Sequence, residues 1–100
     1  MKKEYLLIIS DEAYFDISEA YFWYESAKKG LGDQFESSLE NSLKQLMISP
    51  QQYQERHKNV RIVFLLRFPF GIHYVIEREF IKVIAVFHTS RNPKSWSERF

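Results

Sequence analysis

Cysteine is absent from the chain. That excludes a disulfide framework, a cysteine-based zinc site and a thiol nucleophile. Glycine is scarce, with three residues in 100, and Gly30-x-Gly32 lacks the third glycine and the strand context of a dinucleotide site. It is a turn. The three histidines, His57, His73 and His88, show no metal-ligand spacing, and no HExxH pattern occurs. No metal and no cofactor is expected. Long hydrophobic runs are missing too. Leu6 to Ile9 is a run of four, too short for a signal peptide and far too short to span a bilayer. A soluble, reducing compartment, the cytoplasm, is the expectation, with no membrane partner.

Aromatic residues, by contrast, are plentiful: nine Phe, six Tyr and two Trp. Residues 1–100 make one domain with a single core, and a chain of this length buries roughly 60 to 65% of its unfolded surface. So much aromatic surface exceeds what a small core needs, and part of it is expected to face a partner. The formal net charge of +1 hides a polarity. Residues 1–50 carry nine acids against five lysines, whereas residues 51–100 carry nine Lys and Arg against four glutamates. One face for an anionic partner would follow, nucleic acid or an acidic protein segment. Ordinary Glu-rich helices would give the same imbalance.

The periodicity predicts an α+β domain in the order β-α-α-β-β-β. Tyr5 to Ile9 makes a short buried strand, after which Ser10 or Asp11 can cap a helix. Ala13, Ile17, Ala20, Tyr24 and Ala27 recur at helical spacing, a small-residue stripe that would let the helix lie close on a sheet. Gly30-Leu31-Gly32 breaks the pattern. A second helix follows with Phe35, Leu39, Leu43, Leu46 and Met47 on one face, and Pro50 ends it. Beyond it the period becomes two. Val60 to Phe68, Ile72 to Ile76 and Phe80 to His88 form an antiparallel meander, with Phe68-Pro69-Phe70-Gly71 and Glu77-Arg78-Glu79 as its turns. One mostly antiparallel sheet with a helical hairpin packed on one face is the expected architecture.

Candidate chemistry clusters in the second half. His88 ends a strand, where a side chain can project from a rigid element, and an imidazole suits general acid or base work. Holding a backbone group is the equal alternative for it. His73, inside a strand, is expected to be a hydrogen-bonded or half-exposed sheet residue. Arg56, His57, Lys58 and Arg61 form a basic cluster that can bind phosphate or can simply be a solvated loop. Trp96, near Arg91, Lys94 and Arg99, would fold back as an anchor or stack on a partner. Tyr14, Phe15, Tyr21, Phe22 and Trp23 decorate the first helix beyond its small stripe, and at least one is expected to stay exposed.

Four segments carry a resemblance: "EAYFWYE" at 19–25, "GLGDQFESSLENSLKQL" at 30–46, "NVRIVFLLRFPFGIHYVI" at 59–76 and "IKVIAVFHTSRNPKSWSER" at 81–99. Their order and spacing resemble the RelE/ParE superfamily of bacterial type II toxins over nearly the whole chain. The resemblance implies a compact toxin that arrests growth unless a small cognate antitoxin wraps it, in a toxin–antitoxin hetero-oligomer of the kind tied to plasmid stabilization. It leaves two chemistries. RelE-like members cleave mRNA on the ribosome, and the carried-over catalytic set would be Arg61, His88 and Arg91. ParE-like members poison DNA gyrase by binding, and Arg61, His88 and Arg91 would then be structural or contact the target; Arg56, Lys58 and Trp96 are the candidate binding residues under either reading. RelE-like enzymes place a tyrosine near the C-terminus, yet no tyrosine follows Tyr74 here. That absence favours the ParE-like reading.

Overall fold

The computed structural model of the chain describes residues 4–96 and 99–100. Strand β1, Leu6–Ile9, leads through Ser10 into helix α1, Asp11–Ala27, and helix α2, Leu31–Ile48, returns alongside it. Strands β2, Glu55–His57, β3, Val60–Phe64, β4, Phe70–Glu77, and β5, Phe80–His88, complete a sheet of order β1-β5-β4-β3-β2. Among the described residues only the β1–β5 pairing is parallel. The expected order stands, with β2 added as a three-residue edge strand that its charged sequence did not announce.

Local chemistry explains each boundary. Ser10 is extended and its hydroxyl accepts from the Ala13 amide at 3.1 Å, the cap that the sequence suggested. Gly30 takes a left-handed conformation, φ 89°, between the helices. Gly32 must be glycine for another reason: a Cβ there would sit 2.8 Å from the Tyr21 carbonyl oxygen of α1. Having no side-chain cap of its own, the start of α2 borrows one. The Glu25 carboxylate accepts from the Gly30 amide at 3.0 and 3.1 Å and from the Gly32 amide at 3.0 Å.

The helical hairpin covers one sheet face. Ala13, Ala20, Phe35, Leu39 and Leu46 meet Val63, Leu65, Ile72, Tyr74, Ile81, Val83 and Val86 in the main core. Tyr74 is fully buried and its hydroxyl donates to the Pro50 carbonyl at 2.6 Å, closing the end of α2 onto the sheet. Burial pushes that phenol well above its ordinary pKa.

Four expectations change. The first strand, expected to be buried, lies at the sheet edge with Leu6, Leu7 and Ile8 exposed, because only β5 pairs with it among the described residues. The strand expected to reach Phe68 stops at Phe64, because Arg67 adopts a left-handed conformation (φ 75°) and Leu65 donates to Phe70 across a turn. Leu65 and Phe68 fold inward while Leu66 is 73% exposed. Ala27 lies exposed at the end of α1 rather than in the small-residue stripe. His73 is neither half-exposed nor hydrogen-bonded at Nδ1; it is 2% exposed on the sheet face away from the helices. No helix among the described residues is long and apolar enough to cross a membrane.

Candidate functional site

The C-terminal end of β5 gathers the residues singled out there. His88 projects from the last strand position and its ring meets Phe70 edge-on at 5.2 Å. The Ser90 amide donates to His88 Nδ1 at 3.1 Å, with the Ser90 hydroxyl 2.7 Å from the same nitrogen. A backbone N–H can only donate, so Nδ1 is the acceptor and neutral His88 carries its proton on Nε2. The Arg91 amide donates to the His88 carbonyl at 3.0 Å, and the Arg91 guanidinium lies 4.0 Å over the Phe87 ring. A cleft of about 350 Å³ opens beside them, lined by Asp16, Glu19, Trp23, Phe70, His88 and Arg91 among others. His88 and Arg91 thus share one site.

Arg61 does not join them. It pairs with Tyr74 in the β3–β4 ladder, whereas His88 pairs with Phe70 four residues along β4. That is roughly 13 Å along the strand, with two strand spacings, about 10 Å, to cross as well. The register therefore sets Arg61 apart from His88, and Arg91 stays at the His88 end with its guanidinium over Phe87. Arg61 is also occupied: it donates to the Gln51 carbonyl at 3.1 Å, to the Tyr53 carbonyl, and to Glu55 at 3.3 Å. It ties the connection after α2 to the sheet.

The remaining candidates lie apart. Arg56 is exposed on β2, its guanidinium 5.9 Å from the Phe64 ring. Lys58 follows in a left-handed turn, φ 53°, beside a second cleft of about 370 Å³ that also takes in Lys82, Val75 and Phe100. Trp96 folds back onto the sheet face opposite the helices, its ring 4.8 Å from His73 and nearly perpendicular to it. Phe100 and Phe87 complete that aromatic cluster around His73. Burial, and after it the charges of Arg99 and Arg91, together push the His73 imidazole down to about 4. Among the described residues, buried Trp96 Nε1 has no hydrogen-bond partner, nor has His73 Nδ1.

A contact that sequence reading missed holds this end together. Asp16, 7% exposed on α1, accepts from the Val86 amide at 3.0 Å and from Arg99 at 2.6 and 3.3 Å. Glu12 adds a 3.3 Å ion pair to Arg99. β1 ends opposite Val83, so the amide of Val86 has no strand to pair with on that side, and Asp16 supplies the acceptor. An aspartate among helix surface acids gave no pattern by which to find it; only its place three residues after Ala13 in the stripe hinted at burial.

No family model matches the chain, and no curated protein matches it. Among solved structures, a chain of the chromosomal ParDE TA system from P. aeruginosa superposes with a TM-score of 0.77, covering 88% of this chain and 99% of that one at 17% identity. The chain shares the fold of that chain. At that identity the likeness concerns the fold alone, which here runs from β1 to β5 with the helical hairpin on one face. Four aromatic or apolar side chains on the outer surface of α1 stand clear of the core: Tyr14, Phe15, Phe22 and Trp23, each more than half exposed.

Proposed function

We propose that this chain is the toxin of a type II toxin–antitoxin pair, neutralised by a cognate antitoxin, and that it acts by binding its target rather than by cutting RNA. DNA gyrase is the target that a ParE-like action suggests. The carrying observation is the separation of Arg61 from His88 and Arg91, with Arg61 spent on backbone carbonyls. Cleavage by a 2′-hydroxyl needs a base, an acid and cations around one phosphate. The lone pair of neutral His88 that would take a proton is already engaged by the Ser90 amide. The exposed aromatics of α1 support protein binding, since aromatics dominate interface energetics.

The second reading is a RelE-like ribosome-dependent endoribonuclease, favoured by the pairing of His88 and Arg91 beside an open cleft. A third is a non-toxic binding module of the same fold. Induced expression separates them, with growth, ribosomal mRNA 5′ ends and plasmid supercoiling as readouts. Growth arrest with altered supercoiling and intact mRNA is expected. New mRNA ends that vanish in His88→Ala and Arg91→Ala would overturn the binding mechanism, and unimpaired growth without the antitoxin would overturn toxicity itself.

A further inference from the structure

The sheet face away from the helices carries a second set of buried side chains. Val60 and Val75 are 3% and 7% exposed, yet both lie outside the main core. Ile72, Tyr74 and Ile76 turn toward the helices, so strand alternation sends Val75 to the opposite face with His73. Lys82, between the core residues Ile81 and Val83, faces that side as well. The ladders pair Lys82 with Val75 and Arg61 with Tyr74, which sets Lys82, Val75 and Val60 in one row across β5, β4 and β3. Over this row lies the cleft of about 370 Å³, with Ile84 and Phe100 adding to its apolar lining. Three cations line it, Lys58, Lys82 and Arg99, against one acidic side chain, Glu12. Arg99 is engaged by Glu12 and Asp16. Among the described residues neither lysine has an ion-pair partner.

Lys58 holds its place at a conformational cost. It adopts φ 53° in the turn between β2 and β3, where His57 pairs with Val60. Glycine and asparagine suit that left-handed conformation and lysine does not. Arg67 and Arg78 take the same conformation at other turns, so strain by itself marks no site. At Lys58 the strain coincides with a cleft that the residue lines. We propose that this cleft binds a small amphipathic anion, with its apolar body on Val60, Val75 and Ile84 and its charged head between Lys58 and Lys82. Small-molecule sites occupy about 300 to 1,000 Å³ and are mostly apolar, with a few polar groups that fix orientation. The lysine stems can lie along the apolar wall while their ammonium groups reach the rim. An ammonium is a compact point charge that serves a carboxylate or a phosphate head alike. A purely apolar ligand would leave both lysines unused, and a bare ion would leave the valine floor uncovered. Lys82 stands near the start of β5 and His88 at its end, so the proposal requires nothing of the toxin activity.

Octanoate and octyl phosphate serve as probes, with octanol, acetate and inorganic phosphate as controls. Calorimetric titration is expected to show saturable binding of at least one probe with a dissociation constant below about 1 mM. The tighter of the two names the head group. Each control should bind at least about tenfold more weakly. Methyl resonances of Val60, Val75 and Ile84 should shift on binding, and those of Leu39 and Leu46 in the main core should not. Lys58→Asn suits the left-handed turn and removes the charge, so its thermal midpoint should not fall. Its affinity should drop about tenfold, as loss of a charged hydrogen-bond partner does. Lys82→Gln should drop likewise with unchanged circular dichroism. Arg78→Asn relieves the same strain at a residue that does not line the cleft, and should bind as the original does. Equal binding of octanol, acetate or inorganic phosphate overturns the proposal, as does an affinity that survives both lysine substitutions. Absence of saturable binding by either probe overturns it too, and leaves the two lysines to an acidic segment of a protein partner.

Discussion

His73 is the residue whose surroundings differ most from its sequence context. Between Ile72 and Tyr74 it looked like a sheet residue with some access to water. Instead Trp96, Phe87 and Phe100 enclose it, and Arg99 and Arg91 stand near enough to disfavour a further positive charge. Its pKa falls from 6.5 to about 4 in the folded chain. In the unfolded chain it titrates normally. Between pH 6.5 and 4 the unfolded state therefore holds more protons, and stability rises with pH across that window. The contribution is fully present above about pH 6.5 and is lost as pH falls toward 4, a difference of about 3 kcal/mol. Urea denaturation at pH 7 and pH 4.5 should show this drop. His73→Phe keeps the aromatic packing without a titrating group, so its stability should change much less between those two values. An equal drop in that variant would assign the effect to other groups. The same enclosure argues against His73 as a catalytic base, because a residue 2% exposed among three rings leaves no room for a substrate to reach its nitrogens.

Among the elements, the helical hairpin was the most legible, because periodicity and turn chemistry both report on local geometry. Leu39, Leu43, Leu46 and Met47 recur at helical spacing, Ser10 caps, and Pro50 terminates. What periodicity could not convey is the borrowed cap. Glu25 sits five residues before Gly30 in a polar run, and only the tight crossing enforced by Gly32 brings its carboxylate to the amides of α2. Glu25→Ala leaves those amides unmet and removes the negative charge from the positive end of α2, at a cost of about 1 to 2 kcal/mol. Thermal unfolding should show a decrease of roughly 5 to 15 °C for a chain of this size. Glu25→Gln, which keeps an acceptor without the charge, should recover part of it, and an unchanged midpoint in Glu25→Ala would mean that the cap contributes nothing. The sheet was less legible. The alternation of Val60 to Phe68 continued past the real end of β3, since nothing in the pattern signals that Arg67 turns left-handed. β3 and β5 each pair with β4, and the registers of those two ladders, which alternation does not report, decide that Arg61 and His88 stand apart.

At the scale of the whole molecule the charge polarity seen in sequence maps onto architecture: the acidic half forms the helical layer with β1, and the basic half forms the rest of the sheet and the segment after it. The two halves meet where Arg99 reaches Asp16 and Glu12, residues 83 and 87 positions away, a union that no local pattern could announce. It closes one side of α1 and leaves the aromatics of its outer surface uncovered, Phe22 at 67% and Trp23 at 73% exposure. Neither touches the core that decides stability. Under the proposed function a small open reading frame is expected beside this one, encoding the antitoxin whose segment covers that surface. Phe22→Ala with Trp23→Ala should then change the free energy of unfolding by no more than about 0.5 kcal/mol per site, as surface substitutions do. Truncating central aromatic anchors of an interface, in contrast, costs about 2 kcal/mol or more, so affinity for the antitoxin should fall at least about thirtyfold. Calorimetric titration of the purified antitoxin into each variant reads this without depending on toxicity. A doubly substituted chain that binds as tightly as the original would move the antitoxin to another face, and would leave the exposed aromatics of α1 to the target.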